Sequence, residues 1–266
     1  MTMPEKFVRA NGLNIHYVEE GRGVPLILLH GGTSTLGEWM AHIPTFAERY
    51  HVFALDSRGH GQTDNPEGKL SYRAMAEDVA AFVATLGLAR PFVCGYSDGG
   101  QVALEFAVRH PGHARGVMIG AAWYKFTEEY VSNLKKWGFE RPGEMDFDWL
   151  EATYPEMVES WKLDHHRDND PNYWQTLTRQ ISEMWLTPLH YSEAEFRQIS
   201  DPALILTGDR DGMIPLEQAF EMYRMIPTAE LAVLPNADHL GVLTKPELYI
   251  HVMQEFLARH SGTNSI

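Results

Sequence analysis

Gly95-Tyr96-Ser97-Asp98-Gly99-Gly100 follows the apolar run Pro91-Phe92-Val93-Cys94 and leads into a helical stretch that ends near His110-Pro111-Gly112. A serine spaced this way between glycines is weak evidence by itself, because short loose patterns recur by chance. Placed between a strand and a helix it becomes specific, since a sharp turn there lifts the hydroxyl clear of the sheet. The backbone at such a serine is strained, and glycines on both sides let strand and helix approach closely. An ordinary glycine turn with an exposed serine would need none of this context. Ser97 is therefore a candidate nucleophile, if a base, an orienting acid and oxyanion donors lie within reach.

Outward from this turn, apolar runs rich in β-branched residues alternate with stretches of helical period, the rhythm of a parallel sheet with crossover helices. The chain opens with an expected hairpin: Phe7-Val8-Arg9, a turn at Asn11-Gly12, then residues 13–18. Strands are predicted at 25–29, 51–55, 91–94, 117–119, 203–207 and 231–234. The unbroken apolarity of Leu26-Ile27-Leu28-Leu29 fits a strand covered on both faces. Ser71 can cap a helix that carries Met75, Val79, Phe82, Val83 and Leu86 on one face, with Gly87 ending it. Thr244 and Glu247 make a capping-box pattern around Pro246, and Leu248, Val252, Phe256 and Leu257 are the expected buried face of the last helix.

Residues 122–200 break the rhythm. They hold six of the seven tryptophans, at 123, 137, 149, 161, 174 and 185, and no convincing strand. The reading is a helical cap (122–200) inserted into a core formed by 1–121 and 201–266. Core packing is the expected role for most of its aromatics, with some left to line a pocket.

Bulk properties narrow the function classes. A formal charge of -14 argues against nucleic acid, which calls for a basic footprint, and disfavours highly anionic substrates. One cysteine, Cys94, forms no internal disulfide and is expected to pack in its strand. No stretch resembles a signal peptide or is long enough to span a bilayer, so a soluble, cytoplasmic protein without a membrane partner is expected. Asp164-His165-His166-Arg167-Asp168-Asn169-Asp170 looks like a metal tract, but nothing fixes ligand geometry, and it is read as a solvated cap loop. No metal and no organic cofactor is expected.

Acyl transfer builds negative charge on a substrate oxygen, and backbone N–H groups must already point at it. His30-Gly31-Gly32-Thr33, directly after the strand at 25–29, can supply one from Gly32 or Thr33. Asp98, the residue after the serine, can supply another. His30 itself is read as holding this loop through hydrogen bonds.

Together the strand order, the glycine-flanked serine, the His-Gly-Gly loop and a late histidine resemble the α/β-hydrolase superfamily, from about residue 7 to 257. Asp56-Ser57-Arg58-Gly59-His60-Gly61 is similar to a turn common in that superfamily and is read as architectural, with Asp56 and Arg58 satisfying nearby backbone. The resemblance implies an α/β fold with a mostly parallel central sheet flanked by helices. It also implies the order nucleophile, acid, base. The acid then comes from Gly208-Asp209-Arg210-Asp211-Gly212, where the G-x-x-D spacing favours Asp211 and leaves Asp209 as the alternative, paired with Arg210. Thirteen histidines reduce to His239, His251 and His260, and only His239 sits in a loop beyond the last strand.

Within the superfamily the turn resembles that of the biphenyl hydrolase-like and valacyclovir-hydrolase group, with Tyr96 in place of a tryptophan. That likeness implies an Asp98 side chain facing the amino group of an amino-acid ester; the competing reading has it cap the following helix. Trp123 is a further substrate-binding candidate. The expected activity is hydrolysis of small carboxylic esters through an acyl-enzyme on Ser97, His239 and Asp211. Lactone, amide or carbon–carbon bond hydrolysis on the same triad, or a ligand sensor reusing the scaffold, are the alternatives.

Overall fold

In the computed structural model, which describes residues 3–262, the opening hairpin pairs β1 (Glu5–Ala10) antiparallel with β2 (Leu13–Gly21). Its turn residues Asn11 and Gly12 both have positive φ, 49° and 77°, which matches the twist of a two-residue hairpin loop. Six further strands follow: β3 (Val24–Leu29), β4 (Tyr50–Leu55), β5 (Phe92–Tyr96), β6 (Gly116–Gly120), β7 (Ala203–Gly208) and β8 (Ala229–Leu234). They join the hairpin in one sheet ordered β1-β2-β4-β3-β5-β6-β7-β8, antiparallel at β1·β2 and β2·β4 and parallel elsewhere. The fold expected from the sequence is the fold observed.

The pleat divides each central strand between two apolar layers. Ile27 and Leu29 face α2 (Tyr72–Thr85) and α3 (Asp98–Arg109), joining Phe82, Val102 and Phe106. Leu26 and Leu28 face α1 (Ile43–Ala47) and α11 (Pro246–His260), joining Phe46, Met253 and Phe256. Both faces are covered, which is why β3 reads as continuous apolar sequence. Ser71 caps α2, its hydroxyl accepting the Ala74 N–H at 3.1 Å, and Gly87 follows with φ of 64°.

Between β6 and β7 lie five helices: α4 (Glu128–Lys136), α5 (Phe147–Thr153), α6 (Pro155–Asp164), α7 (Tyr173–Trp185) and α8 (Glu193–Phe196). Trp174 of α7 is buried edge-on against Phe147, and Trp123 packs against Tyr72 and Tyr130. Four of the six tryptophans, Trp123, Trp161, Trp174 and Trp185, are buried in the core as expected, and Trp161 and Trp185 also join Trp137 in lining a cavity over the sheet. Then come α9 (Leu216–Met225) and α10 (Gly241–Thr244). Among the described residues no helix is long and apolar enough to cross a membrane.

The last helix departs from expectation in two ways. Thr244 caps nothing. It ends α10, where its hydroxyl bonds back to the Leu240 carbonyl at 3.2 Å, a local bond that competes with capping. The buried face of α11 is Tyr249, Ile250, Met253, Phe256 and Leu257, while Leu248 is exposed. Leu248–Val252 and Tyr249–Met253 both satisfy the helical period with Phe256, so periodicity alone did not choose between them.

Candidate active site

Ser97 stands at the junction of β5 and α3 with φ 53° and ψ −118°, a conformation that a non-glycine residue adopts only when its surroundings compel it. They compel it by proximity. A Cβ on Gly95 would lie 2.0 Å from the Gly99 carbonyl oxygen, and one on Gly99 would lie 2.3 Å from that of Leu29. The strand–helix crossing therefore closes only over glycine. The Ser97 N–H donates to the Gly120 carbonyl at 2.8 Å, tying the turn to β6.

The hydroxyl meets a histidine held by a carboxylate. Ser97 Oγ lies 3.0 Å from His239 Nε2, and His239 Nδ1 lies 2.8 Å from Asp211 Oδ2 and 3.0 Å from Oδ1. Asp211 follows β7 and His239 follows β8, so both arrive from the carboxyl end of the sheet, as Ser97 does. Asp211 Oδ1 also accepts the N–H groups of Met213 (2.9 Å) and Ile214 (2.8 Å), which fixes the carboxylate plane. A carboxylate can only accept, so Nδ1 carries the proton and Nε2 turns a lone pair toward the serine. Asp209 does not reach the imidazole. Its carboxylate is 3.9 Å from Arg210 Nε, a looser pairing than expected. His260 bonds Glu230 at 2.7 Å on α11, outside the site.

Three N–H groups on the two segments around the hydroxyl are left without a protein partner among the described residues. Among the described residues Gly32 N–H has no protein acceptor, nor has that of Thr33. Asp98 is the first residue of α3, and the N–H there has no partner within the helix. Gly31 N–H is taken by Glu38 Oε2 at 3.1 Å. His30 holds the loop as expected: one ring nitrogen donates to the Gly31 carbonyl at 2.7 Å, the other accepts Ser57 N–H at 2.9 Å. Burial lowers its pKa and keeps the ring neutral.

The Asp98 side chain fits neither sequence-based reading neatly. It does not cap α3, because Tyr72 Oη donates to it at 2.7 Å and Trp185 Nε1 at 2.8 and 2.9 Å. Burial pushes its carboxyl up to about 6 against those two donors. Asp98 and Trp123 do not line the main cavity. They border, with Ser97, a separate void of about 10 Å³, room for about one water. A carboxylate locked beside the turn had to find donors, but no spacing in the sequence pointed to Tyr72 or Trp185.

The main cavity holds about 300 Å³ over Ser97 and His239. Trp137, Phe139, Met157, Trp161, Met213 and Leu243 are among its apolar lining. Its polar lining includes Glu38, which sequence reasoning missed. Burial pushes that carboxyl up to about 7, and its Oε1 is buried without a partner.

Arg58 does not satisfy backbone; it makes a two-pronged pair with Asp78 of α2, Nε and Nη2 each at 2.8 Å. Asp56 does serve the backbone, accepting the N–H groups of Leu36 and Gln62. The 164–170 tract is not a solvated loop throughout. His165 is 2% exposed and bonded to the Gly61 N–H (3.1 Å) and the Thr33 carbonyl (3.0 Å), while Arg167 donates to the Thr63 carbonyl. No group of three metal-ligating side chains occurs among the described residues.

Residues 24–246 match the family model of the alpha/beta hydrolase fold. The chain belongs to that family. It is 25% identical over 271 residues to a 2-hydroxy-6-oxo-6-(2'-aminophenyl)hexa-2,4-dienoic acid hydrolase of Metapseudomonas resinovorans, covering 97% of this chain and 92% of that one. It is 26% identical over 270 residues to a pimeloyl-acyl-carrier-protein methyl ester esterase of Nitrosospira multiformis, covering 88% and 95%. A bacterial membrane phospholipase A superposes with a TM-score of 0.80 at 23% identity, over 98% of this chain and 87% of that one. Such relatives are hydrolases, and this α/β-hydrolase is a serine hydrolase enzyme.

Proposed function

We propose that the enzyme hydrolyses small, uncharged carboxylic esters through an acyl-enzyme on Ser97. His239 Nε2 takes the hydroxyl proton as Oγ attacks the ester carbonyl, and Asp211 steadies the imidazolium that forms. The oxyanion accepts the N–H groups of Gly32 and Asp98. Collapse breaks the carbon–oxygen bond to the alcohol, which leaves with the proton from His239. Water, deprotonated by the same nitrogen, then releases the acid and returns the proton to Ser97. Residues 122–200 act as a cap that supplies most of the apolar wall and excludes water.

The lining of the cavity carries the choice of substrate. Among the described residues no lysine or arginine lines it, whereas Glu38 and Asp164 do. A dienoic acid, which names the substrate of the Metapseudomonas relative, would bring its carboxylate to a wall without a cation. A methyl ester, the group named for the Nitrosospira relative, brings no charge of its own to that wall. The same triad and cavity also suit a neutral lactone, whose ring ester opens by the same steps. Asp98, already engaged by two donors, serves as an anchor in this reading and not as an amine receptor.

A panel of nitrophenyl esters tests this, in acyl chains of increasing length, each with an α-amino or an ω-carboxylate counterpart. The neutral members should show the highest kcat/KM. A preference above about tenfold for amino esters would move Asp98 into substrate binding, and preferred turnover of the carboxylates would refute the neutral-ester reading.

A further inference from the structure

We infer that the insertion between β6 and β7 holds the oxyanion hole in shape through two side chains, His165 and Trp185, which makes them positioning residues for the reaction. This rests on the serine-hydrolase reading above and goes beyond it: His165 stays outside the substrate cavity, and Trp185, though part of its wall, acts here through Asp98.

Two backbone segments carry the proposed oxyanion donors, and each is gripped from the insertion. His165, just past the end of α6, is bonded through Nε2 to the Thr33 carbonyl at 3.0 Å. Its Nδ1 meets the Gly61 N–H at 3.1 Å. A carbonyl only accepts and an N–H only donates, so His165 is the neutral tautomer with its proton on Nε2. Burial lowers its pKa and favours that state. Trp185, the last residue of α7, donates its indole N–H to the Asp98 carboxylate at 2.8 Å.

Apart from the insertion, the loop is tied mainly at Gly31, which bonds His30, Ser34 and Glu38. Thr33 has φ of 60°, so the peptides on either side of it sit in a conformation that must be maintained from outside. Gly32 lies in the angle between the two grips: a Cβ there would come within 2.5 Å of the Trp185 ring and 2.6 Å of Asp98 Oδ2. Shifting the insertion moves both grips together, and with them the N–H pair. Shifts of about an ångström at reacting atoms cost on the order of a hundredfold in rate. His165 does not line the substrate cavity, so its loss removes no substrate contact.

The test uses amides that each keep one half of the imidazole. His165→Gln retains a donor near the Nε2 position, facing the Thr33 carbonyl. His165→Asn retains only an acceptor near the Nδ1 position, facing Gly61. Steady-state kinetics on a nitrophenyl ester is paired with inhibition by phenylboronic acid, whose tetrahedral adduct on Ser97 leans on the oxyanion hole. His165→Asn should lose about 10–100-fold in kcat and a similar factor in boronate affinity, with KM changed by less than about threefold. His165→Gln should recover most of both. Equal losses in the two variants, or a fall in kcat without a fall in boronate affinity, would overturn the inference. If neither variant folds cooperatively, Trp185→Phe removes the indole N–H, trimming the bicyclic ring to a single aromatic one; unchanged boronate affinity there would likewise overturn it. Ser97→Ala is the control: if it turned over normally, the serine reading would fail and take this inference with it, whereas an inactive Ser97→Ala with unchanged boronate affinity in the His165 variants would overturn this inference alone.

Discussion

Asp211→Asn is the substitution whose outcome the geometry dictates most closely. The two carboxylate oxygens are not equivalent: Oδ1 accepts two backbone N–H groups, from Met213 and Ile214, and lies 3.0 Å from His239 Nδ1, whereas Oδ2 is nearer to Nδ1, at 2.8 Å, and has no other partner among the described residues. An asparagine must keep its oxygen at the Oδ1 position, or it would aim an NH2 group at two donors. Its NH2 therefore lands where Oδ2 was, facing Nδ1. Nδ1 then has to accept, the ring proton moves to Nε2, and Nε2 points that proton at Ser97 Oγ instead of a lone pair. Side-chain size, packing and the Ser97–His239 distance all stay nearly the same. A triad locked in the wrong tautomer loses about 10⁴ in kcat, or about 5 kcal/mol of transition-state stabilisation. Asp209→Asn alters a carboxylate that does not reach the imidazole and should stay within about threefold of the parent. Initial rates on one nitrophenyl ester at saturating concentration, with unfolding curves to show that both variants are folded, make the comparison. A loss under about tenfold for Asp211→Asn, or the larger loss in Asp209→Asn, would refute the tautomer argument.

Two expectations concern stability. Glu38 is raised from 4.5 to about 7 by burial, so its contribution is full below about pH 4.5 and is lost as the pH rises through about 7. Glu38→Gln, which cannot ionise, should match the parent near pH 4 and gain up to about 3 kcal/mol on it near pH 8 in urea unfolding; a constant difference across that range would contradict the assignment. Arg58→Ala leaves Asp78 (side chain 7% exposed) with Asn11 as its remaining side-chain partner and should destabilise by about 3 kcal/mol. A cost near zero in the same assay would mean that the pair is replaceable by solvent.

Much of this molecule is legible in its sequence because its constraints are local. The glycines around Ser97, the continuous apolarity of Leu26 to Leu29 and the serine before α2 each answer to neighbours a few residues away. The strand ends that carry Asp211 and His239 follow from the same rhythm once the family resemblance fixes the chain order. What the sequence hides is long-range pairing of polar groups. His165 stands 132 positions from Thr33, Trp185 stands 87 from Asp98, and Arg58 stands 20 from Asp78. Each satisfies a buried donor or acceptor whose partner is set by how helices dock, and no periodicity encodes that. Glu38 escaped notice for the same reason. Only the docking of its short helical turn against the loop at Gly31 turns a surface-type residue into a half-buried acid with one carboxyl oxygen sealed from solvent.

The central claim is a covalent bond to one serine, and trapping that bond tests it most directly. A nitrophenyl butyrate reaction quenched in acid within the first turnovers, followed by intact-protein and peptide mass spectrometry, should find one butyryl group per chain, on the peptide that contains Ser97. The same experiment on Ser97→Ala should find none and no turnover. An adduct on another residue, or a Ser97→Ala variant that still hydrolyses the ester at the parent's rate, would contradict the account.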